Sequence, residues 1–502
     1  MERELHSPEE LGRLAAELSL LAAPGTAILL YGELGAGKST FVRAFIWALA
    51  SPEMDFDVPS PTFTLVQTYD DLRLPVVHAD LYRVNSPAEI GELGLDDLIR
   101  GHLLIVEWPE RLGSVPWPNV LTIEISGRGT TRHLRMAGEG TWSQALRRNE
   151  TIRKFIGTTA WKGAARSFLE GDASARRYER LRKDQDGVLL MDMPARPDGP
   201  PVVQGKSYST IAHLAENISA VIAINTELCN RDYSAPHIHA FDAAEGLALI
   251  EDLGRDVFAS MLRRGLDMRE PLKAAVDLLA DMARQDWPET LAIGGLKHRI
   301  VPYDEPALLI ETALLPSWFW PHARGAAAPA SLQQEFAGLW SEVLPLAKPD
   351  KPAWTLRDYH SPNLLWLPDR ARLRRVGLID TQDCVFGHPA YDLASLLQDA
   401  RADITVELAA ELFDYYCRLR SSEAGFHGQD FSLAFAVLGA QRATKILGIF
   451  ARLSKRDGKH TYLQHIPRVS RYLERNLRHR ELRRIRGWFE AHLPAALGEI
   501  AA

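Results

Sequence analysis

One short segment near the start of the chain restricts the fold more than any other feature. Residues 32–39, GELGAGKS, fit the pattern GxxxxGK[ST], after an apolar run at residues 26–31 and before a helical pattern at residues 40–50. Glycines allow successive backbone N–H groups to point at phosphate oxygens, and the start of a helix adds partial positive charge. The segment therefore predicts a phosphate-binding loop between a strand and a helix of an α/β domain.

The residue types of this loop predict how a nucleotide would be held. Its three glycines would let the main chain turn around the phosphates, Lys38 would contact the β- and γ-phosphates, and the Ser39 hydroxyl would bind Mg²⁺. The nucleotide-binding residues predicted here are Gly32, Gly35, Gly37, Lys38, Ser39 and Thr40. A glycine-rich turn without a ligand is the alternative, but it gives no reason for a Lys-Ser pair at the end of the loop.

Two carboxylates follow two further apolar segments. Asp80 comes after residues 75–79, and Glu107 comes after residues 103–106. Nucleotide hydrolases place a metal-binding acid and a group that orients water at the carboxyl ends of strands beside the loop. Both acids are therefore candidates for these tasks, although either alone could be a solvated acid at the end of a strand.

Four motifs of the N-terminal region resemble those of the bacterial TsaE ATPase, a subunit of the complex that makes threonylcarbamoyladenosine in tRNA. They are GELGAGKST, SPTFT at residues 60–64, HADLYR at residues 78–83 and EWPER at residues 107–111, and the resemblance covers about residues 1–145. It implies that Thr62 belongs to a nucleotide-sensing switch and that Asp80 holds Mg²⁺. It also implies that Glu107 supports hydrolysis and that Trp108 lies at the nucleotide. The family acts on partner subunits of the TsaB and TsaD type, which would make the contact with tRNA.

A second phosphate site is predicted in the C-terminal half. The segment RDYHSPN puts Asp358 and Asn363 five positions apart, as in the catalytic loop of kinases. A hairpin pattern follows at residues 363–379, and Asp380 comes after it in the place of the metal-binding aspartate of kinases. Asp358 is predicted to act as the base for an attacking hydroxyl, and Asn363 and Asp380 to bind Mg²⁺. Taken singly, either acid could instead cap a turn.

This half resembles the aminoglycoside phosphotransferase family, and more closely the sugar kinases of the AmgK type. The motifs that carry the resemblance are GDASARRY at residues 171–178, LLMD at 189–192, RDYHSPN at 357–363, IDTQD at 379–383, AYDLA at 390–394 and QRATKILGIF at 441–450. The resemblance covers the chain from about residue 150. It implies a two-lobed kinase-like fold and ATP-dependent phosphorylation of the anomeric hydroxyl of N-acetylmuramic acid or N-acetylglucosamine, the sugar being a narrower inference than the family.

One departure from the kinase pattern affects the prediction of the ATP site. Residues 188–193 form a predicted strand but contain no lysine to bind the phosphates. Arg176 and Arg177 are candidates for that task, with a solvated turn as the alternative. Residues 248–254 look like the hinge between kinase lobes, where the backbone of Glu251 and Leu253 would bind adenine, although Glu251 could simply be solvated.

Two basic features of the C-terminal half have competing explanations. Arg442 and Lys445 lie three residues apart on a predicted helix and so share a face. Pairing with helix acids is favoured over contact with a lactyl or acetamido group of a substrate. Residues 468–486 hold eight arginines in a helical pattern, which is more typical of a solvated face than of a tRNA-binding patch.

Charge and cysteine content exclude some classes of function. The chain has 58 Lys+Arg against 65 Asp+Glu, a net charge of −7, so no whole-chain positive field attracts nucleic acid or anionic lipid. Three cysteines without metal or disulfide spacing predict buried free thiols in a reducing compartment. The first residues, MERE, are acidic where a signal peptide is basic, and no run reaches about 18 apolar residues. We expect a cytoplasmic protein.

The 502 residues are therefore predicted to form an α/β fusion of two enzymes. Residues 1–148 would form a P-loop ATPase domain with a mostly parallel sheet, and residues 149–502 a two-lobed kinase-like domain with a small lobe at about 160–255 and a helical lobe at about 256–502. A nucleoside kinase or a GTPase is the alternative for the first half, and a GTPase is disfavoured because residues 1–150 lack an N/T-KxD motif. The alternatives for the second half are a choline- or aminoglycoside-like kinase and a nucleotide-binding pseudokinase.

Overall fold

The chain forms two compact units, Met1–Asp192 and Met193–Ala502. The computed structural model describes residues 1–51, 53–54, 56–127, 129–169, 176–195 and 197–498. The first unit is α/β, whereas the second unit combines short hairpins with twelve α-helices in its described residues. The α/β class predicted from the sequence is confirmed.

The first unit contains a seven-stranded sheet in the order β1-β7-β6-β2-β5-β4-β3. The strands of this unit are β1 (Glu2–Leu5), β2 (Ala27–Tyr31), β3 (Val66–Tyr69), β4 (Val76–Asp80), β5 (Leu103–Glu107), β6 (Val120–Ser126), β7 (Arg132–Gly138), β8 (Ala165–Leu169), β9 (Arg177–Lys183) and β10 (Asp186–Asp192). Its helices are α1 (Pro8–Ser19), α2 (Lys38–Leu49), α3 (Pro87–Glu92), α4 (Leu95–Leu98) and α5 (Thr141–Gly157). Strand β2 is parallel to β5 and β6, and β4 is parallel to β5, while the pairs toward the edges are antiparallel.

The central strands are buried on both faces, as parallel strands in α/β proteins are. One apolar cluster contains the inward side chains of α1 and α2, and a second contains Leu95, Ile99 and Trp117 on the other face. The register pairs Asp80 of β4 with Glu107 of β5. The two predicted acids therefore lie side by side at the edge of the sheet where β2 leads into the phosphate-binding loop.

The compact units divide at a different place from the predicted boundary at residue 148, which falls inside helix α5. The antiparallel strands β8, β9 and β10 belong to the first unit, where Glu17 of α1 is the shared partner. Glu17 accepts hydrogen bonds from Asn149 at 2.8 Å and from Arg166 at 3.2 Å. Arg166 also forms a two-bond ion pair with Glu179, at 2.6 and 2.9 Å. This network attaches the three strands to α1 and explains why the unit extends to Asp192.

The second unit is mainly helical. Its strands are β11 (Pro201–Val203), β12 (Lys206–Ser207), β13 (Ile238–Asp242), β14 (Leu247–Glu251), β15 (Thr290–Ile293), β16 (Leu296–Arg299), β17 (Ala353–Thr355), β18 (Leu364–Trp366), β19 (Val376–Leu378) and β20 (Val385–Gly387). Its helices are α6 (Tyr208–Ile211), α7 (Ile218–Asn230), α8 (Phe258–Arg263), α9 (Arg269–Met282), α10 (Glu305–Thr312), α11 (Trp320–Arg324), α12 (Ala330–Val343), α13 (Ala390–Leu397), α14 (Val406–Arg420), α15 (Gly428–Asp457), α16 (Ile466–Leu477) and α17 (Arg483–His492). The hairpin predicted at residues 363–379 is confirmed as the antiparallel pair β18–β19.

Helix α15 is the central helix of the second unit. It spans 30 residues and packs against α10, α13 and α16. A Cβ at Gly448 would lie only 2.4 Å from the main chain of Leu314, so this close approach requires glycine. By length and composition α15 could cross a membrane, which the sequence analysis did not anticipate, but most of its apolar stretch is buried inside the unit.

The arginine-rich segment near the end of the chain forms surface helices. Five of its arginines pair with acids: Arg468 with Asp403, Arg478 with Glu474, Arg480 with Glu481, Arg484 with Glu342 and Arg486 with Glu490. Such pairing is what a solvated face predicts. Of the cysteines, Cys384 is buried and Cys229 and Cys417 are half-buried, and all three are free thiols.

We expect Arg166→Ala to lower the free energy of unfolding of the first unit by about 1–3 kcal/mol, because the half-buried Glu179 loses its cation and Glu17 keeps only Arg153. Arg3→Ala is the control, since the Arg3–Glu150 pair is partly exposed and its loss should cost no more than about 1 kcal/mol. Hydrogen exchange of the full chain, read on peptides from β8 to β10, measures the effect. Equal protection of these strands in both variants would contradict the structural role given to Arg166.

Candidate functional sites

The first candidate site lies at the carboxyl end of β2, where the loop of residues 32–37 leads into α2. Gly32 has a φ of 144°, and a Cβ there would lie 2.4 Å from the carbonyl oxygen of Ile125. Gly35 and Gly37 also have positive φ, and Gly37 is the N-cap of α2. The loop therefore takes a path that only glycine follows without strain. Thr40 is exposed in the first turn of α2.

Lys38 turns back over this loop. Its Nζ donates to the carbonyl oxygens of Gly32 at 2.6 Å and Glu33 at 3.1 Å, and lies 3.6 Å from the centre of the Trp108 ring. Burial lowers the pKa of Lys38 even though the nearby acids Glu107, Glu110 and Asp80 favour its charged form. The ammonium group is thus held inside the turn of the loop, where phosphate oxygens would be bound.

The two predicted acids have different partners. Glu107 accepts a hydrogen bond from the Ser39 hydroxyl at 3.1 Å, and a 3.0 Å hydrogen bond joins its other oxygen to Nε2 of the buried His78. Asp80 accepts from the hydroxyls of Ser60 at 2.8 Å and Thr62 at 3.0 Å. Asp80 therefore contacts the segment that the sequence resemblance identified as a switch, and Glu107 contacts the predicted metal-binding hydroxyl.

The oxygen atoms gathered here match the preference of Mg²⁺. Hydroxyl and carboxylate oxygens are the ligands that this ion takes in phosphate sites, usually one or two carboxylates with the phosphates. Ser39, Glu107 and Asp80 supply these groups within one edge of the sheet. The residues present fit the ion.

Trp108 follows β5 and lies at the edge of this site. Its φ is 60°, a left-handed conformation that is uncommon for a bulky residue and is found at functional sites. Its ring lies 4.9 Å from the ring of Tyr82. Trp108 thus contacts both Lys38 and an aromatic residue of the HADLYR motif, which places it beside the phosphate-binding loop.

The second candidate site is formed by the loop after β17 and by the end of the β18–β19 hairpin. Nδ2 of Asn363 donates to the backbone oxygen of Asp358 at 3.1 Å. The backbone oxygen of Asn363 accepts from the N–H of Ile379 at 3.1 Å, which puts Asp380 next along the chain. The structure therefore brings together Asp358, the predicted base, and Asn363 and Asp380, the predicted ligands of Mg²⁺. Asp380 has a left-handed main chain, with a φ of 63°.

The surroundings of Asp358 favour the ionised form of its carboxylate, which can accept hydrogen bonds. Burial acts to raise its pKa, but electrostatic interactions with His360, Lys445 and Arg442 outweigh burial, and the pKa lies below its usual range. Its side chain is nevertheless 47% exposed, so a ligand can reach the carboxylate. An ionised, accessible carboxylate can accept the hydrogen bond and then the proton of a hydroxyl group.

A buried acid that the sequence analysis missed holds this loop. Glu311 of α10 is fully buried and pairs with Arg357, the residue before Asp358. Nζ of Lys445 donates to Glu311 at 2.7 Å, and Nε2 of Gln441 donates at 3.0 Å. Burial would raise the pKa of Glu311, but Lys445 and Arg357 outweigh it and lower the pKa. The only signal in the sequence is a lone acid within the apolar stretch ALLIETALL.

Two more buried acids fix the main chain of the loop. Asp392 accepts from the N–H groups of Leu356 at 2.6 Å and Arg357 at 2.9 Å, and burial raises its pKa to about 7. Asp399 accepts from the N–H of Ser361 at 2.7 Å. Arg357 has a φ of 67°, and these contacts retain that unfavourable conformation next to Asp358. The AYDLA motif contains Asp392, but the pattern gave no role for it.

The other predicted residues have varied surroundings. The Glu251 side chain accepts from Arg370 at 2.5 Å and from the N–H of His237 at 3.2 Å, and Leu253 is buried. Arg176 and Arg177 belong to the first unit, where Arg177 stands opposite Asp192 in the β9–β10 pair. Residues 171–175 of the motif GDASARRY lie outside the described residues. Contact of these groups with ATP stays a prediction.

Comparison with known proteins finds two families along the chain, in the order that the sequence motifs predict. The model of the family described as "Threonylcarbamoyl adenosine biosynthesis protein TsaE" matches residues 5–134, and that of the "Phosphotransferase enzyme family" matches residues 166–426. An N-acetylmuramate/N-acetylglucosamine kinase of Caulobacter vibrioides is 34% identical over 349 residues, 68% of this chain and 95% of that protein. One from Pseudomonas aeruginosa is 29% identical over 311 residues, 60% of this chain and 81% of that protein. The tRNA threonylcarbamoyladenosine biosynthesis protein TsaE of Rickettsia conorii is 35% identical over 130 residues, 26% of this chain and 73% of that protein.

We expect Glu311→Gln to destabilise the second unit by about 3–5 kcal/mol, because the charges of Arg357 and Lys445 lose their buried partner. Glu411→Gln is the matched control, since Glu411 pairs with Arg269 at the surface and the loss should be no more than about 1 kcal/mol. Chemical denaturation of the full chain, followed by hydrogen exchange in α10 and α15, measures both. If the two variants unfolded at the same denaturant concentration, Glu311 would not have the role described.

Proposed function

Because the chain belongs to the TsaE family over residues 5–134 and to the phosphotransferase enzyme family over residues 166–426, we propose that it has two independent ATP-dependent activities. The first part is an ATPase-type domain, and the second part is a phosphotransferase that acts on an alcohol group. We assign both activities to the cytoplasm, which agrees with three free thiols.

For the first site, we propose hydrolysis of ATP in support of threonylcarbamoyladenosine formation in tRNA. The loop of Gly32, Gly35 and Gly37 would hold the phosphates with Lys38, and Trp108 would lie at the nucleotide. Mg²⁺ would be held by Ser39 and Asp80 and would neutralise phosphate charge when bound. Partner subunits of the TsaB and TsaD type would carry the tRNA, since this chain has a net charge of −7.

The contact between Asp80 and Thr62 supports a response to nucleotide in this first site. The Thr62 hydroxyl donates to a carboxylate that stands beside Glu107 in the sheet. A change in the ligands of that carboxylate would change its bond to Thr62, and so the position of residues 60–64. Glu107, bonded to both Ser39 and His78, is held in place to support hydrolysis.

For the second site, we propose transfer of the terminal phosphoryl group of ATP to the anomeric hydroxyl of an N-acetylated amino sugar. The observation that carries this proposal is the convergence of Asp358, Asn363 and Asp380 at one end of the hairpin. The Asp358 carboxylate would accept the proton of the hydroxyl as its oxygen bonds to phosphorus and the bond to ADP breaks. Asn363 and Asp380 would hold Mg²⁺, whose charge stabilises the phosphates. The names of the relatives support the sugar as acceptor.

The ATP contacts of the second site are part of the same proposal. Arg176 and Arg177 would bind phosphates in place of the lysine that residues 188–193 lack. The backbone of Glu251 and Leu253, after strand β14, would bind adenine. The presence of Asp358, Asn363 and Asp380 together favours an active kinase over a pseudokinase, because a module that only binds nucleotide has no use for an accessible base.

We expect Asp358→Ala to reduce sugar phosphate formation by about 10²–10⁴-fold, because no other group replaces the base. Lys38→Ala should leave that activity unchanged, since Lys38 belongs to the other site. The assay follows sugar phosphate from N-acetylmuramate and N-acetylglucosamine with Mg·ATP, with Asp369→Asn in the turn of the hairpin as the control. Equal loss in the Lys38 and Asp358 variants would contradict two independent sites.

We expect Lys38→Ala to reduce ATP hydrolysis in the presence of TsaB- and TsaD-type subunits by about 10²–10³-fold. Thr62→Val, which removes the hydroxyl bonded to Asp80, should reduce it too, whereas Thr62→Ser keeps the hydroxyl and should retain most of it. The readouts are phosphate release and threonylcarbamoyladenosine content of tRNA. The proposal for the first site fails if the wild-type chain restores no modified base with these subunits.

A further inference from the structure

Helix α15 carries two basic side chains that differ in their partners. Lys445 is neutralised by the buried Glu311 at 2.7 Å, as the pairing alternative predicted. Arg442, three residues earlier, makes no hydrogen bond and no ion pair within the described residues. Arg442 is nevertheless only 5% exposed. The structure thus buries one cation with a counter-ion and another without one.

The orientation of the Arg442 guanidinium follows from its individual atoms. Its Nε is enclosed and has no hydrogen-bond partner. The terminal nitrogens are not among the enclosed, unpaired atoms of the described residues, so they retain a surface open to solvent. Placing an arginine in a protein interior without a carboxylate costs free energy, which a bound anion would offset. The guanidinium therefore has unpaired donors that are not fully enclosed.

Arg442 lies on the part of α15 that is linked to the Asp358 loop. Gln441 and Lys445, the neighbours of Arg442 on α15, both bind Glu311, and Glu311 binds the residue before Asp358. Arg442 also contributes to the positive potential that lowers the pKa of Asp358. Because Asp358 is the group that would accept the proton of the acceptor hydroxyl, we infer that an acceptor bound there would also lie near Arg442.

We propose that Arg442 binds a carboxylate of the acceptor, so that the second site prefers an acidic amino sugar to its neutral analogue. The planar guanidinium can form two parallel N–H···O bonds to a carboxylate, a geometry that lysine lacks. N-acetylmuramate and N-acetylglucosamine differ by the lactyl ether that carries such a carboxylate, and they form a matched pair of acceptors. The inference rests on the proposed sugar kinase activity and names the residue that sets its specificity.

The test is a thermodynamic cycle in which the Arg442 side chain and the carboxylate of the acceptor are changed separately and together. The full chain and its Arg442→Gln and Arg442→Lys variants are assayed with N-acetylmuramate, its methyl ester and N-acetylglucosamine. We expect Arg442→Gln to lower kcat/KM for N-acetylmuramate by about 10- to 100-fold, mainly through KM, because a charge-assisted bond is lost. The loss for the ester and the neutral sugar should be much smaller, and Arg442→Lys should give an intermediate value.

Arg452→Gln is the control. Arg452 lies on the same helix and also has an enclosed Nε without a partner, but its guanidinium lies over the ring of Tyr208 at 5.5 Å. This variant should keep the wild-type ratio of kcat/KM for the acidic and neutral sugars. Unfolding by heat, compared for all variants, detects a loss of structure.

The possible outcomes separate the inference from the function on which it rests. If the wild type phosphorylates neither sugar, the proposed kinase activity fails and the inference fails with it. If both sugars are phosphorylated and Arg442→Gln reduces kcat for both equally, or raises KM for ATP, then Arg442 binds phosphate and the inference alone is overturned. An unchanged ratio of kcat/KM in Arg442→Gln would overturn it as well.

Discussion

Glu311 is fully buried, and its charge is kept there only because Arg357 and Lys445 lie against it. This arrangement holds Arg357 in a left-handed conformation, and the direction of the Asp358 side chain depends on it. Asp392 accepts a hydrogen bond from the main chain before Asp358, and Asp399 accepts one from the main chain after it. The accessible carboxylate is thus positioned by three acids that no ligand needs to touch. The first site uses the same solution, with His78 and Ser39 holding the buried Glu107.

Within the first compact unit, side-chain contacts connect the regions matched by the two families, in addition to the covalent chain. The phosphotransferase match begins at residue 166, yet the strands from there to Asp192 belong to the first compact unit. Glu17 lies in the region matched by the TsaE family, and its half-buried pair with Arg166 crosses from one family match to the other. Glu17 also pairs with Arg153 and accepts from Asn149, so a chain divided at residue 148 would separate Glu17 from all three of these partners.

The sequence predicted the parts of each site that local patterns encode. The loop of residues 32–39, the acids at the ends of β4 and β5, and the hairpin before Asp380 all depend on neighbours within a few residues. Glu311 and Asp392 were not assigned roles, because a buried acid is recognisable only through partners that are distant in the sequence. The boundary at residue 148 follows from a pattern that turns polar, and that stretch forms strand β7 and helix α5, each exposed on one face; the boundary stays a prediction.

Arg442 and Lys445 show why proximity on a helix does not decide function. Both share a face and both are basic, so the sequence gives them the same competing explanations. Glu311 separates them, because this buried carboxylate pairs with Lys445 and Arg357 but not with Arg442. Burial of a guanidinium without a counter-ion lowers the stability of the folded protein. Proteins tolerate such a cost at sites where the charge binds a ligand. Of the two, the unpaired cation is therefore the one with donors left for a substrate.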